Sequence, residues 1–151
     1  MIEYRIATGD DIELLMESRL RMLRVVNDLE ADYEYSDAFV ARSREYFLEG
    51  RQTTVLALDD QRVIGCASMC YVDVMPTFSH PTGKRAHLMN VFTEKDYRRR
   101  GIAHKMTTML IEEAWSRGAT EISLDATESG RALYEKCGFR ASNECMVLTR
   151  E

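Results

Sequence analysis

Between Ala86 and Leu124 the sequence changes its periodicity twice, and that stretch limits the fold more than any other. Ala86 to Thr93 is a β-compatible run and predicts a strand. The polar stretch EKDYRRR follows. From Gly101 onward Ile102, Met106, Met109, Leu110 and Ala114 recur on one helical stripe. Gly118 ends that helix, and Glu121 to Leu124 is strand-like again. A strand, a crossover helix and a second strand imply parallel pairing, with the helix packed on the sheet.

The other segments assemble around that unit. Ile2 to Ala7 alternates as an opening strand. Thr8 to Asp11 is a polar start signal for a helix that carries Ile12, Leu15, Met22, Leu23 and Val26 at helical spacing. Asp37 to Leu48 predicts a second helix, capped by Ser36 and stopped by Gly50. Thr53 to Leu58 and Val63 to Tyr71 have a hairpin pattern across Asp59-Asp60-Gln61-Arg62, without the Asn-Gly or Asp-Gly of the strongest turns. Val74 to Arg85 holds both prolines and predicts a loop. Gly130 to Lys136 reads as a short helix stopped at Gly138, and Met146 to Thr149 as a final strand. With no internal repeat or composition shift, residues 1–151 are expected to form one α/β domain with helices on a mixed sheet.

Bulk properties exclude several classes of function. Hydrophobic residues at 45% and charged residues at 30% are a globular balance. No apolar run approaches the roughly 18 to 20 residues of a membrane span. The mixed, acidic start MIEYRIATGDD is unlike a secretory signal, so the expected compartment is the cytoplasm. A net charge of −5 argues against broad nucleic-acid binding. Cys66, Cys70, Cys137 and Cys145 form no C-x-x-C pair. His80, His87 and His104 lack metal-ligand spacing, so free thiols and no metal are expected.

Chemistry is concentrated in NVFTEKDYRRRGIAHKM, Asn90 to Met106. The first-turn amides of a helix are unpaired donors at the positive end of its dipole. Gly101 and Ala103 put little side chain there, and Arg98, Arg99 and Arg100 add positive charge, as a pyrophosphate cradle needs. The competing reading is a solvated basic turn relieved by a glycine. Neither a G-x-x-x-x-G-K-[ST] loop nor a G-x-G-x-x-G loop is present.

The R-x-x-G-x-A of Arg98 to Ala103, set between a strand and an amphipathic helix, resembles the acetyl-CoA signature of the GNAT superfamily, Q/R-x-x-G-x-G/A. GRALYEKCGF, Gly130 to Phe139, resembles that superfamily's closing helix and Gly-Phe turn. The likeness is close from Ala86 to Phe139 and extends to the ends through element order. It implies an acyl-CoA N-acyltransferase fold, with a V-shaped split between the middle strands of the sheet and helices on both faces.

The resemblance also implies roles. The backbone of Val91, Phe92 and Thr93 would pair with the pantetheine arm of acetyl-CoA, and the amides of Arg99, Arg100, Gly101, Ile102, Ala103 and His104 would hold the pyrophosphate. Tyr134 matches a tyrosine that protonates the departing thiolate, which is general-acid chemistry. Its alternative is plain packing on the core. Asp125, at the end of its strand, and Glu94 are the candidates for general base, and each could equally be a solvated carboxylate. Asn90 and a nearby strand amide would polarise the thioester carbonyl. Thr127 stands where many relatives carry an asparagine that contacts pantetheine, and Gly130 where many carry alanine.

Three functions are consistent with these residues. One is an N-acetyltransferase moving acetyl from acetyl-CoA to a primary amine by direct attack. Another is a non-catalytic acyl-CoA sensor or interaction module. Transfer of a longer acyl group is a third. The first two helices and the loop from Val74 to Arg85 are expected to shape the acceptor pocket, with Tyr33, Tyr35 and Phe39 as candidate lining and Tyr71, Phe78 and His80 as a candidate aromatic lid. The acceptor is open among small amines, amino acids, aminoglycosides and protein amino termini. Similar proteins commonly form homodimers, which no segment here decides.

Overall fold

The hairpin expected between Thr53 and Tyr71 forms the centre of the sheet. In the computed structural model, which describes residues 1–150, β2 (Gln52–Asp59) and β3 (Arg62–Asp73) pair antiparallel and close with Asp59 opposite Arg62. The two residues between, Asp60 and Gln61, both take positive φ (50° and 67°), as a turn matching the strand twist requires. Aspartate tolerates that conformation because its short polar side chain bonds locally.

β1 (Ile2–Ile6) pairs antiparallel with β2, and β4 (Lys84–Thr93) antiparallel with β3. β5 (Glu121–Leu124) joins β4 in parallel, as the crossover argument demands. The order in space is β1-β2-β3-β4-β5. The connecting helix α3 (Ile102–Ser116) lies on one face of the sheet, with Ile102, Met106, Leu110 and Ala114 packed against Val55, Ile64, Ala67, Met69 and Leu88. Met106 and Leu110 are completely buried, each worth about 1.5–3 kcal/mol of apolar transfer.

The opposite face is covered by α1 (Ile12–Val26) and α2 (Asp37–Leu48), with Leu15 packed against Leu56, Leu58 and Cys66. The start of α1 follows from its polar signal. The Thr8 side chain accepts from Asp10 N–H at 3.3 Å, and the Asp11 carboxylate accepts from Thr8 N–H at 2.9 Å. Asp11 also pairs with Arg5 at 2.6 Å. The Thr8 amide, and then Arg5, hold its carboxyl below the ordinary range against the opposing effect of burial. Ser36 caps α2 as expected, its oxygen accepting from Phe39 N–H at 3.2 Å. A short helix, α4 (Arg131–Lys136), closes the domain.

The expected strand from Met146 to Thr149 does not form. Residues 141–150 belong to no helix or strand, and Met146, Val147 and Leu148 are exposed. β-branched and apolar residues favour a strand only when a pleated surface is there to receive them, and the sheet ends at β5. The expected loop is also shorter than its composition implied, since β3 runs to Asp73 and β4 begins at Lys84. No helix among the described residues is long and apolar enough to cross a membrane.

Candidate active site

β4 carries two irregularities that create a site. Its pairing with β3 shifts register, Cys66 facing Phe92 but Ser68 facing Met89, and within this bulge Asn90 adopts φ 61°. Its parallel pairing with β5 stops at Leu88 opposite Leu124. Beyond that point β4 continues for five residues, Met89 to Thr93, with no described strand on its β5-facing edge. Backbone groups alternate between the two edges of a strand, so Phe92 pairs toward Cys66 of β3 while Val91 and the Thr93 N–H face the open edge. The V-shaped split expected from the resemblance lies here.

The split leads to the start of α3. A 3₁₀ turn, Lys95–Tyr97, reverses the chain after β4. Arg99 and Gly101 then take left-handed φ of 62° and 78°, curling the backbone into a concave array of amides. The first bond back from the helix is Lys105 N–H to the Gly101 carbonyl at 3.0 Å, so the amides of Ile102, Ala103 and His104 have no helical acceptor. A Cβ on Gly101 would meet no atom within 4 Å. Glycine is required here by the backbone angle rather than by crowding within the chain. Arg98 and Arg100 brace the turn as well as charging it, donating to the carbonyls of Thr93 and Asp96, both at 3.0 Å.

Tyr134, on α4, packs half-buried against the α3-side core and meets Phe139 edge-on, ring centroids 6.0 Å apart. Its hydroxyl has no hydrogen-bond partner among the described residues. Burial, and then the nearby Cys137, raise its pKa, so the phenol keeps its proton at neutral pH. A Cβ on Gly130 would stand 3.2 Å from both the Tyr134 ring and Thr127 Oγ1, so the bare backbone makes room for that ring. The Thr127 hydroxyl is occupied locally, accepting from Gly130 N–H at 3.2 Å and lying 3.3 Å from Ser129 Oγ.

On the α1 side of the sheet the Asn90 side chain is buried and fully engaged. Its oxygen accepts from Arg19 Nη1 at 3.1 Å, and its Nδ2 donates to Ser68 Oγ at 3.0 Å. The buried Cys66 thiol, pushed up to about 12 chiefly by burial, donates to the Asn90 carbonyl at 3.4 Å. Two cavities open on this face. The larger, about 350 Å³, sits at the beginning of β3 beside Ser18, Arg21, Cys66 and Glu94. The smaller, about 230 Å³, lies between α1, α2 and the sheet, lined by Arg19, Phe39, Tyr46, Cys70, Met89 and Asn90. The larger reaches one edge of the bulge at Cys66 and Phe92, but only the smaller is lined by Asn90 itself together with Ser68 and Met89, which makes it the candidate acceptor pocket.

The two carboxylates singled out by the sequence differ sharply. Glu94 is clamped by Arg21 through Oε1 at 2.5 Å and Oε2 at 2.8 Å, and that guanidinium holds its pKa below the ordinary value. Asp125 is fully exposed just beyond β5, its Oδ2 3.6 Å from His87 Nε2 where the β4–β5 pairing ends. The other ring nitrogen of His87 lies 2.8 Å from Ser123 Oγ.

The loop of residues 74–83 departs from expectation. It precedes β4 and so lies at the opposite end of that strand from the cradle, with Phe78 wholly exposed and His80 bonded to Thr120 and Glu121. Tyr71 packs on the α3 face under the Arg117 guanidinium, 4.3 Å from its ring centre. Of the aromatic residues expected to line an acceptor pocket, Phe39 does so, while the Tyr35 hydroxyl donates to the Leu20 carbonyl at 2.8 Å.

Sequence reasoning missed Arg19. Its signal was present: Leu15, Arg19 and Met22 share the stripe that α1 turns toward the sheet, so an arginine occupies an apolar position.

A family model described as "Acetyltransferase (GNAT) family" matches residues 19–139. Glucosamine 6-phosphate N-acetyltransferase 1 of Oryza sativa subsp. japonica is 30% identical over 112 residues, 74% of this chain and 68% of that protein. The glucosamine 6-phosphate N-acetyltransferase of Trypanosoma brucei brucei is 31% identical over 87 residues, 58% of this chain and 57% of that one. Among solved structures, a predicted acetyltransferase from Clostridium acetobutylicum with acetyl-CoA superposes with a TM-score of 0.86 at 29% identity, covering 99% of this chain and 96% of the other.

Proposed function

The chain belongs to the acetyltransferase (GNAT) family, and we propose that it moves an acetyl group from acetyl-CoA to a primary amine of a small molecule or peptide, by direct attack of the amine on the thioester. The observation that carries this reading is the continuity of the β4–β5 split with the amides at the start of α3.

The residues present fit acetyl-CoA, which when bound supplies an activated acetyl thioester. The free edge of Val91 to Thr93 would pair with the amides of its pantetheine arm, as a strand would. The curled backbone from Arg99 to His104 would hold the pyrophosphate on N–H donors, with the three arginines adding charge. Thr127, whose hydroxyl accepts from the Gly130 N–H just ahead of α4, would serve this site by holding the entry to the Tyr134 helix rather than by touching pantetheine.

Tyr134 stays protonated at neutral pH and would donate its phenolic proton to the leaving sulfur. An amide freed by the β4 bulge would face negative charge growing on the carbonyl oxygen. Asn90 would hold that bulge in place through Ser68 and Arg19. Asp125, opposite His87 and open to water, would take the proton from the incoming ammonium. Glu94 is the poorer base, because its ion pair with Arg21 stabilises the charged form.

Tyr134→Phe separates a catalyst from a sensor. A catalyst loses about 10²-fold or more in kcat while its acetyl-CoA affinity is unchanged. Equal turnover by variant and wild type would remove Tyr134 from the chemistry. Acetyl-CoA binding without amine-dependent thiol release in the wild type would leave a binding module.

A further inference from the structure

Arg19 stands out among the charged side chains of the α1 face. It is half-buried, yet no aspartate or glutamate lies within ion-pair distance among the described residues. Its hydrogen-bond partners are the Asn90 side-chain oxygen at 3.1 Å and the Met22 sulfur at 3.7 Å, both neutral. Burial pulls its pKa down, though an arginine remains charged at neutral pH. A buried charge without a counter-charge costs free energy unless something compensates it.

The surroundings supply no compensation. The 230 Å³ cavity is lined by Arg19 and Arg42 and by no acidic residue. Arg42 is already satisfied by Glu49 at 2.8 Å and Glu45 at 3.5 Å. Arg19 is the uncompensated charge, at the wall shared with Asn90 and hence with the bulge. The two cysteines near it, Cys66 and Cys70, are both held in the neutral thiol form by burial. The chain as a whole carries −5, so a positive cavity in it runs against the average.

We propose that Arg19 is the acceptor-recognition residue, seating an oxyanion group, phosphate or carboxylate, on the same molecule as the amine to be acetylated. The inference rests on the acetyltransferase reading and adds the class of acceptor: a small anionic amine. A polycationic acceptor would place its second cation against the unpaired Arg19 guanidinium in a confined space, which is repulsive. A planar guanidinium suits either oxyanion by forked hydrogen bonds.

The test uses matched acceptors that differ only in the anion: glucosamine against glucosamine 6-phosphate, and glycinamide against glycine. Thiol release from acetyl-CoA is followed with wild type, Arg19→Gln and Arg19→Lys. In wild type one anionic member is expected to exceed its neutral partner in kcat/KM by about tenfold or more, the worth of a charge-assisted bond. The phosphate and carboxylate pairs distinguish the two anions. Arg19→Gln erases that preference through the KM of the anionic member, while loss of the Asn90 contact lowers kcat for the anionic and neutral members alike, and Arg19→Lys restores part of the preference. Turnover with no anion preference, or a preference that survives in Arg19→Gln, overturns the proposal while leaving acetyl transfer intact.

A binding readout independent of turnover accompanies it. Thermal unfolding with inorganic phosphate, at saturating coenzyme A so that the cradle is filled, should show a stabilisation that Arg19→Gln abolishes. An equal phosphate response in both proteins counts against Arg19. Far-ultraviolet circular dichroism and Arg19→Lys identify a variant that has merely lost its fold.

Discussion

Replacing Gly101 by alanine isolates the backbone angle on which the cradle depends. At φ 78° and ψ 10°, Gly101 is left-handed, a conformation that costs an L-residue roughly 1–2 kcal/mol. Nothing lies within 4 Å of the position a Cβ would take, so the chain itself adds no clash to that strain. If alanine keeps the angle, the fold loses about 1–2 kcal/mol, and a domain of this size about 2–4 °C of melting temperature for each kcal/mol. If the turn relaxes instead, the amides of Ile102 and its neighbours rotate off the ligand, and each charge-assisted bond lost is worth about 1.5–3 kcal/mol. In the first case the cost appears in stability alone, and in the second acetyl-CoA affinity falls about tenfold or more. Asparagine, which tolerates positive φ, should retain most of both. Calorimetric titration of acetyl-CoA into wild type, Gly101→Ala and Gly101→Asn measures this. If asparagine is as damaging as alanine, space beside the ligand rather than backbone angle is what glycine provides, and the reasoning fails.

Two further predictions concern stability. Met106→Ala empties a fully buried position between α3 and the sheet and should cost about 2–5 kcal/mol, read as a lower denaturant midpoint with an unchanged slope. Glu94 is held below its ordinary value of 4.5 by Arg21, so its contribution is present above the unfolded pKa and is lost as pH falls through the lower folded value. Glu94→Gln should therefore flatten the loss of stability below about pH 4.5, measured by urea unfolding across an acid series. A variant whose acid limb is as steep as that of wild type removes the ion pair from the account.

What could be read from the chain was local. Arg98 to Ala103 announces its helix start because turn, glycine and amphipathic stripe are adjacent in sequence, and the parallel pairing of β4 with β5 follows from the crossover between them. The bulge at Asn90 was not legible as a bulge, because it exists only in the register between β3 and β4. Met146 to Thr149 was misread because its β-propensity carries no information about whether an edge is available to it. The loop from Val74 to Arg85 was expected to shape the acceptor pocket, whereas strand direction places residues 74–83 at the far end of β4. Arg19 had a sequence signal, a charge on a core-facing stripe, but its meaning depended on the absence of a carboxylate partner, which only side-chain packing decides.

The measurement closest to the central claim is thiol release from saturating acetyl-CoA, with and without a panel of primary amines, alongside mass detection of the acetylated product. The account predicts release that depends on the amine and matches the acetyl-amide formed one for one. A protein that is stabilised by acetyl-CoA yet releases no thiol with any amine would contradict it, leaving a domain that binds the thioester without transferring its acetyl group.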